Sequence, residues 1–413
     1  MNHRQGGRPP ARVELPAVDG DSAVLRLHVG EAAPRLATFR CRDGALSAAP
    51  DAGVAAALPI AMGLASSLAL PAGVSSRLLA GAESIQRLLS AWDPALSPVE
   101  LRPAAGADGG GAAAAPRRAR GTACFFTGGV DSFYTVLTRR AEIDALVFVH
   151  GLDLPLDQER KNALISERLT AVAAALDLPL VELETDLRSI SDDVCGWELV
   201  YTSAALATVA HLLSDRFARV LIPATHSLRD LHPIGSHPLL DPLYSGDRLA
   251  IEHVDQVTRV DKLARLAESE LAMASLRVCF QPGFDDRLNC GECPKCQRTM
   301  TGLRVVGALG RCSTLPGDLS LWEMSSGKVA RRQALTYVWE NLEAVQARGD
   351  DPELELALRR LTFKGASGEA LREAARLAAA ARRSAERRAA PVTTRARPLA
   401  GRVRRRTRAL RGG

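Results

Sequence analysis

Ala123-Cys124-Phe125-Phe126-Thr127-Gly128-Gly129-Val130-Asp131-Ser132-Phe133-Tyr134 is the stretch on which the fold turns. The uncharged run at its start reads as a buried strand. Two glycines follow, and Asp131-Ser132 stand where a helix should begin. That order makes an anion site. Glycine lets backbone approach an oxyanion, successive N–H groups converge on it, and the helix end adds positive potential. Thr127 and Ser132 supply hydroxyls. No lysine follows the glycines, which excludes the Gly-Lys-Ser/Thr loop of the Walker type. An aspartate beside phosphate calls for a helix cap or a bound Mg²⁺, and Asp131 is read in that way.

Outward from this loop, residues 121–315 alternate short apolar runs with helical stretches. The runs are Thr122–Phe126, Ala145–Val149, Leu180–Leu183, Arg219–Ile222 and Leu249–His253. The helical stretches lie near Asp131–Arg140, Asp157–Leu176, Trp197–Ser214 and Thr258–Met273. Such alternation predicts an α/β fold, a doubly wound parallel sheet with helices on both faces. Ligands then bind beyond the carboxyl ends of the strands, near the point where strand order reverses. Residues 1–102 predict a small α+β accessory domain, with strands at Ala23–His28, Leu36–Cys41 and Val99–Arg102 and a helix at Ser75–Leu89. A Gly/Ala-rich linker spans 103–120. Residues 316–380 predict C-terminal helices, with apolar spacing over Leu335–Val345 and Leu354–Leu361.

Eight cysteines are present, and four fall within positions 279–296. In Cys279-x10-Cys290-Gly-Glu-Cys293-Pro-Lys-Cys296, two successive C-x2-C steps put three thiolates on one knuckle, and Gly291 permits its turn. Cys279 completes a closed four-thiolate shell that suits structural Zn²⁺, with an iron–sulfur cluster as the competing occupant.

The segment Phe126–Ser132 resembles the Ser-Gly-Gly-x-Asp-Ser signature of the PP-loop ATP pyrophosphatases, with Thr127 in place of serine. Combined with the cysteine cluster, it resembles the 7-cyano-7-deazaguanine synthase family over residues 121–300. The resemblance implies an adenine nucleotide alpha hydrolase-like fold and ATP cleavage between the α- and β-phosphates. A carboxylate or carbonyl oxygen becomes adenylated, pyrophosphate leaves, and a nitrogen donor such as ammonia displaces AMP. The implied cofactors are ATP, Mg²⁺ and structural Zn²⁺. Phe126, Thr127, Gly128, Gly129, Val130, Asp131 and Ser132 would hold phosphate, with Asp131 and Ser132 catalytic. Thr258-Arg259-Val260-Asp261-Lys262 resembles the superfamily's second phosphate-facing element, which makes Lys262 a third catalytic candidate. Two departures are the longer Cys279–Cys290 spacing, which includes Pro282-Gly283, and the lack of a Tyr-Pro-Asp-Cys-like element.

After the fourth strand comes a polar loop in which His226, Arg229, His232, His237 and Asp241 are candidate substrate contacts. Cys195, just before the helix near Trp197, reads as a small buried residue, with a sulfur-carrying thiol as the sharper alternative. Trp197 and Tyr201 share a helical face and read as core.

The formal charge of +6 divides unevenly. Residues 381–413 carry twelve arginines against Glu386, or +11, so subtraction leaves −5 for residues 1–380. The predicted disordered tail offers weak nucleic-acid contact at most, and aromatic residues at 4% give little stacking surface. There is no apolar run long enough to span a membrane and no signal-like start, so a cytoplasmic enzyme acting on a small molecule is expected. A homodimer is compatible with this reading. Two rivals use the same residues: sulfur transfer to a tRNA base, and a nucleotide- or RNA-binding module without turnover.

Overall fold

The computed structural model describes residues 9–103, 121–281, 286–326 and 332–365. The linker over 104–120, the Pro282-Gly283 turn and the tail at 381–413 lie outside the described residues.

The parallel strands form where expected. They are β7 (Thr122–Phe125), β8 (Ala145–His150), β9 (Leu180–Thr185), β10 (Arg219–Pro223) and β11 (Ala250–Val254). Their order across the sheet is β11-β10-β7-β8-β9, so strand order reverses between the parallel neighbours β7 and β10. Residues of β7 and β8 are buried throughout, as parallel strands covered on both faces must be. Alternate side chains enter two separate cores. Ala123, Phe125, Val147 and Ile222 join one; Cys124, Leu146, Phe148 and Leu221 join the other.

The helices are α1 (Pro50–Leu64), α2 (Ser76–Trp92), α3 (Val130–Arg139), α4 (Glu159–Ala175), α5 (Thr202–Leu212), α6 (Arg259–Ala267), α7 (Glu270–Ser275), α8 (Pro294–Val305), α9 (Leu321–Ser326) and α10 (Arg332–Arg348). Residues 352–365 are also helical. Buried residues of α1, α2 and α5 belong to the first core. Those of α3, α4, α6, α7, α8 and α10 belong to the second. The helix expected over Thr258–Met273 is two helices, because Ser269 caps α7 by accepting from the Ala272 amide. The stretch at Trp197 begins as a π-helical turn, Trp197–Tyr201, and only then becomes α5. There Tyr201 is fully buried and donates to the Ala56 carbonyl at 3.0 Å, which assigns it to the core.

The N-terminal segment does not stand apart from the α/β region. Its strands are β1 (Ala11–Val13), β2 (Ala17–Asp19), β3 (Ser22–Val29), β4 (Arg35–Cys41), β5 (Leu68–Ala69) and β6 (Leu101–Arg102). Antiparallel pairing of β4 with β9, Phe39 opposite Thr185 and Cys41 opposite Leu183, extends the parallel sheet to eleven strands. Arg35 reinforces the junction through two hydrogen bonds to the Asp193 carboxylate, at 2.6 and 2.9 Å. One sheet and one core therefore cross the expected domain boundary. Among the described residues, no helix is long and apolar enough to cross a membrane.

Candidate functional site

At the end of β7, Phe126 is buried against Phe133, with ring centroids 5.0 Å apart, and this anchors the loop to α3. Gly128 has φ +72°, and a Cβ there would lie 3.0 Å from Leu169 Cδ2. Only glycine takes that turn without strain. Ser132 closes the loop from within: its Oγ accepts from the Thr127 amide and donates to the Gly129 carbonyl, both at 3.2 Å. Thr127 Oγ1 accepts from the Gly129 amide at 3.3 Å. The first amides of α3 have no partner within the helix and point out of its N-terminus.

Asp131 does not cap α3. Its Oδ1 accepts from Lys262 Nζ at 2.9 Å, and its Oδ2 lies 3.6 Å from an Arg259 nitrogen. Burial alone would raise its pKa, but Lys262 and Arg259 together hold the carboxyl below its ordinary value. Lys262 is fully buried and also donates to the Ala224 carbonyl just past β10. Through Asp131, on the helix after β7, and Ala224, just past β10, Lys262 thus bridges the ends of these two strands at the reversal of strand order, where α/β sheets bind ligands. Thr258 sets the start of α6 by accepting from the Asp261 amide at 3.1 Å. Arg259 and Lys262, three residues apart, then face the loop together.

Three further cations converge here. Arg277 is buried, its amide donates to the Gly128 carbonyl at 2.8 Å, and its guanidinium donates to Thr127 O at 3.3 Å. Lys295 Nζ sits 3.2 Å above the Phe280 ring, and the Arg298 guanidinium carbon sits 4.0 Å above the Tyr337 ring. Burial pushes Lys295 down to about 8 and Arg298 down to about 10, and it lowers Arg277 as well. Arg259 Nε, Arg298 Nε and two nitrogens of Arg277 are buried with no hydrogen-bond partner among the described residues. The acidic groups facing these five cations among the described residues are Asp131, Asp153 and Glu340, with the Cys279 thiol beside Arg277, and burial raises the Glu340 pKa toward its neutral form. Buried donors without acceptors are costly, and a multiply charged anion could satisfy these nitrogens.

The substrate candidates separate. His226 joins the site: its ring lies 4.3 Å from that of His232 and stacks 5.5 Å from that of Tyr337, whose hydroxyl is 3.3 Å from His226 Nδ1. Burial first, then His232, pushes its pKa down to about 3, so it is a neutral hydrogen-bonding group at ordinary pH. Arg229 is directed elsewhere, to Glu343 at 2.8 Å and Asp230 at 3.3 Å. Fully buried Asp241 accepts from Ser203 Oγ, Ser236 Oγ, the His237 amide and His253 Nδ1, at 2.6 to 3.1 Å. His237 Nδ1 accepts from the Leu239 amide, and its ring packs edge-on to Trp92. Those bonds make His237 and Asp241 the internal frame of the loop.

Sequence reasoning did not single out Arg259, Arg277, Lys295, Arg298 or Tyr337. Only Arg259 carried a local signal, its three-residue spacing from Lys262. The others are brought in by the knuckle and by α10.

The second feature is the cysteine cluster. The sulfurs of Cys279, Cys290, Cys293 and Cys296 all lie within 4.8 Å of one another. Cys290–Cys296 and Cys279–Cys293 are each 3.8 Å apart. A tetrahedral zinc with bonds of about 2.3 Å to sulfur has S–S edges of about 3.8 Å. Amides of Gln281, Glu292 and Cys293 donate to these sulfurs at 3.2 to 3.4 Å, which favours the thiolate form that metal requires. The four residues can therefore hold a metal such as zinc, with no ligand position left open for chemistry.

No family model, curated protein or solved structure matches this chain. Any function rests on the site itself. Cys195, the thiol considered for sulfur transfer, is buried, lies 3.7 Å from the Ser191 carbonyl, and is pushed up to about 12 by burial. An attacking thiol needs the opposite shift.

Proposed function

We propose that the chain is a PP-loop ATP pyrophosphatase that adenylates an oxygen of a small molecule, in the manner of the 7-cyano-7-deazaguanine synthase family. One observation carries this reading: the loop after β7 faces a cluster of cations in which nitrogens of Arg259, Arg277 and Arg298 are buried without acceptors among the described residues. Pyrophosphate is the leaving group whose charge such a set would neutralise.

In the proposed reaction a substrate carboxylate oxygen attacks the α-phosphorus of ATP. The new P–O bond forms as the bond from the α-phosphorus to the bridging oxygen breaks, and pyrophosphate departs with that electron pair. The first amides of α3, Lys262 and Arg277 would stabilise the charge developing on the leaving group, the electrostatic part of catalysis. Asp131 holds Lys262 in place. Magnesium would arrive as the counter-ion of ATP, near the Asp131 carboxylate. Ammonia or another nitrogen nucleophile then displaces AMP to form a C–N bond. Zinc at the cysteine cluster would be structural. The test is AMP and pyrophosphate formation from Mg·ATP, ammonia and a panel of carboxylic acids. Production of ADP and phosphate would exclude the reading.

A further inference from the structure

We propose that the cysteine knuckle is the positioning device of the anion site, so that metal occupancy sets the affinity for the anion. The inference rests on the phosphate reading above. The cations and the metal ligands are interleaved along the chain: Arg277 precedes Cys279 by two residues and Phe280 follows it, while Lys295 lies between Cys293 and Cys296. Cys293 is the N-cap of α8, and Lys295 and Arg298 occupy its first turns on one face. A metal that fixes Cys293 and Cys296 therefore fixes the origin and rotation of the helix that carries both cations.

Buried Asn289 joins the two halves of the knuckle. Its Oδ1 accepts from the Val278 and Cys279 amides at 2.8 and 3.2 Å, and its Nδ2 donates to Leu276 O and Thr314 O. The segment bearing Arg277 is thereby locked to the residue next to Cys290. Neither Lys295 nor Arg298 is held by a carboxylate at ion-pair distance among the described residues. Each rests on an aromatic ring, Phe280 or Tyr337. A ring orients a cation without neutralising it, which leaves the charge available to an incoming anion. Their placement accordingly depends on the backbone that the metal organises.

Calorimetric titration of pyrophosphate into the full chain tests this, comparing zinc-loaded protein, protein stripped with chelator and desalted, and protein reloaded with zinc. Circular dichroism monitors the fold throughout. Affinity should fall at least tenfold on stripping and return on reloading. In zinc-loaded protein, Lys295→Gln and Arg298→Gln should each keep one zinc and lose about tenfold in affinity, while Lys295→Arg should retain most of it. If stripping unfolds the chain, zinc-loaded Asn289→Ala replaces that arm, and it should bind pyrophosphate weakly. Stripped, folded protein that binds as tightly as loaded protein overturns the inference, as does unchanged affinity in both glutamine variants or in Asn289→Ala. Loaded wild-type protein that does not bind pyrophosphate overturns the phosphate reading itself.

Discussion

Lys262 is where charge, burial and topology meet, because its ammonium ties the helix after β11 to the helix after β7. Lys262→Ala should lower pyrophosphate formation by about 10²-fold or more, the loss typical of removing one preorganised donor, and initial rates measure it. His226 gives a prediction of opposite character. It takes up a proton only near pH 3 in the fold, facing His232, Tyr337, Arg298, Lys262 and Asp131, but near pH 6.5 when unfolded. The unfolded chain therefore binds more protons between those values. The stability contribution of the neutral imidazole is complete above about pH 6.5 and is lost as pH falls toward 3. One proton corresponds to a slope of about 1.4 kcal/mol per pH unit. Urea unfolding from pH 7 to 4 should show His226→Gln losing stability less steeply than wild type.

At the scale of elements, the knuckle turn depends on Gly291, which has φ +84° and whose added Cβ would lie 2.7 Å from Pro316 Cγ. Gly291→Ala should cost about 1–2 kcal/mol from backbone conformation alone, with the clash adding to it. Zinc affinity should fall at least tenfold in competition with a chromophoric chelator. The turn and its cysteines are legible in sequence because both requirements are local, the thiol spacing and a glycine; the helix that starts at Pro294 is not read there. The strand–loop–helix unit at 122–139 is legible for the same reason. Helix α1 is not. Twelve of its fifteen residues are buried, so it has no polar face to create a 3.6-residue period. The acceptor-less arginines were equally hidden, because an arginine in sequence gives no sign that its partner is missing.

Over the whole molecule, the composition break before residue 121 suggested two units, while the structure runs one sheet through both. Strand pairing between β4 and β9 joins residues about 140 positions apart, a relation that no local pattern encodes. A chain shortened to begin at residue 121 should expose the β9 edge and the apolar face of α5, and it should aggregate in light scattering. In the intact chain, hydrogen exchange should show β3, β4 and β9 opening together. The body carries −5 without its tail, so under the proposed reading attraction to ATP would have to come from the local cation cluster rather than from net charge. Product analysis of Mg·ATP incubated with the chain, ammonia and a panel of carboxylic acids tests that account most directly. AMP and pyrophosphate in equal amounts with at least one acid is the predicted result. ADP and phosphate, or unchanged ATP across the panel from a protein that also fails to bind pyrophosphate, would contradict it.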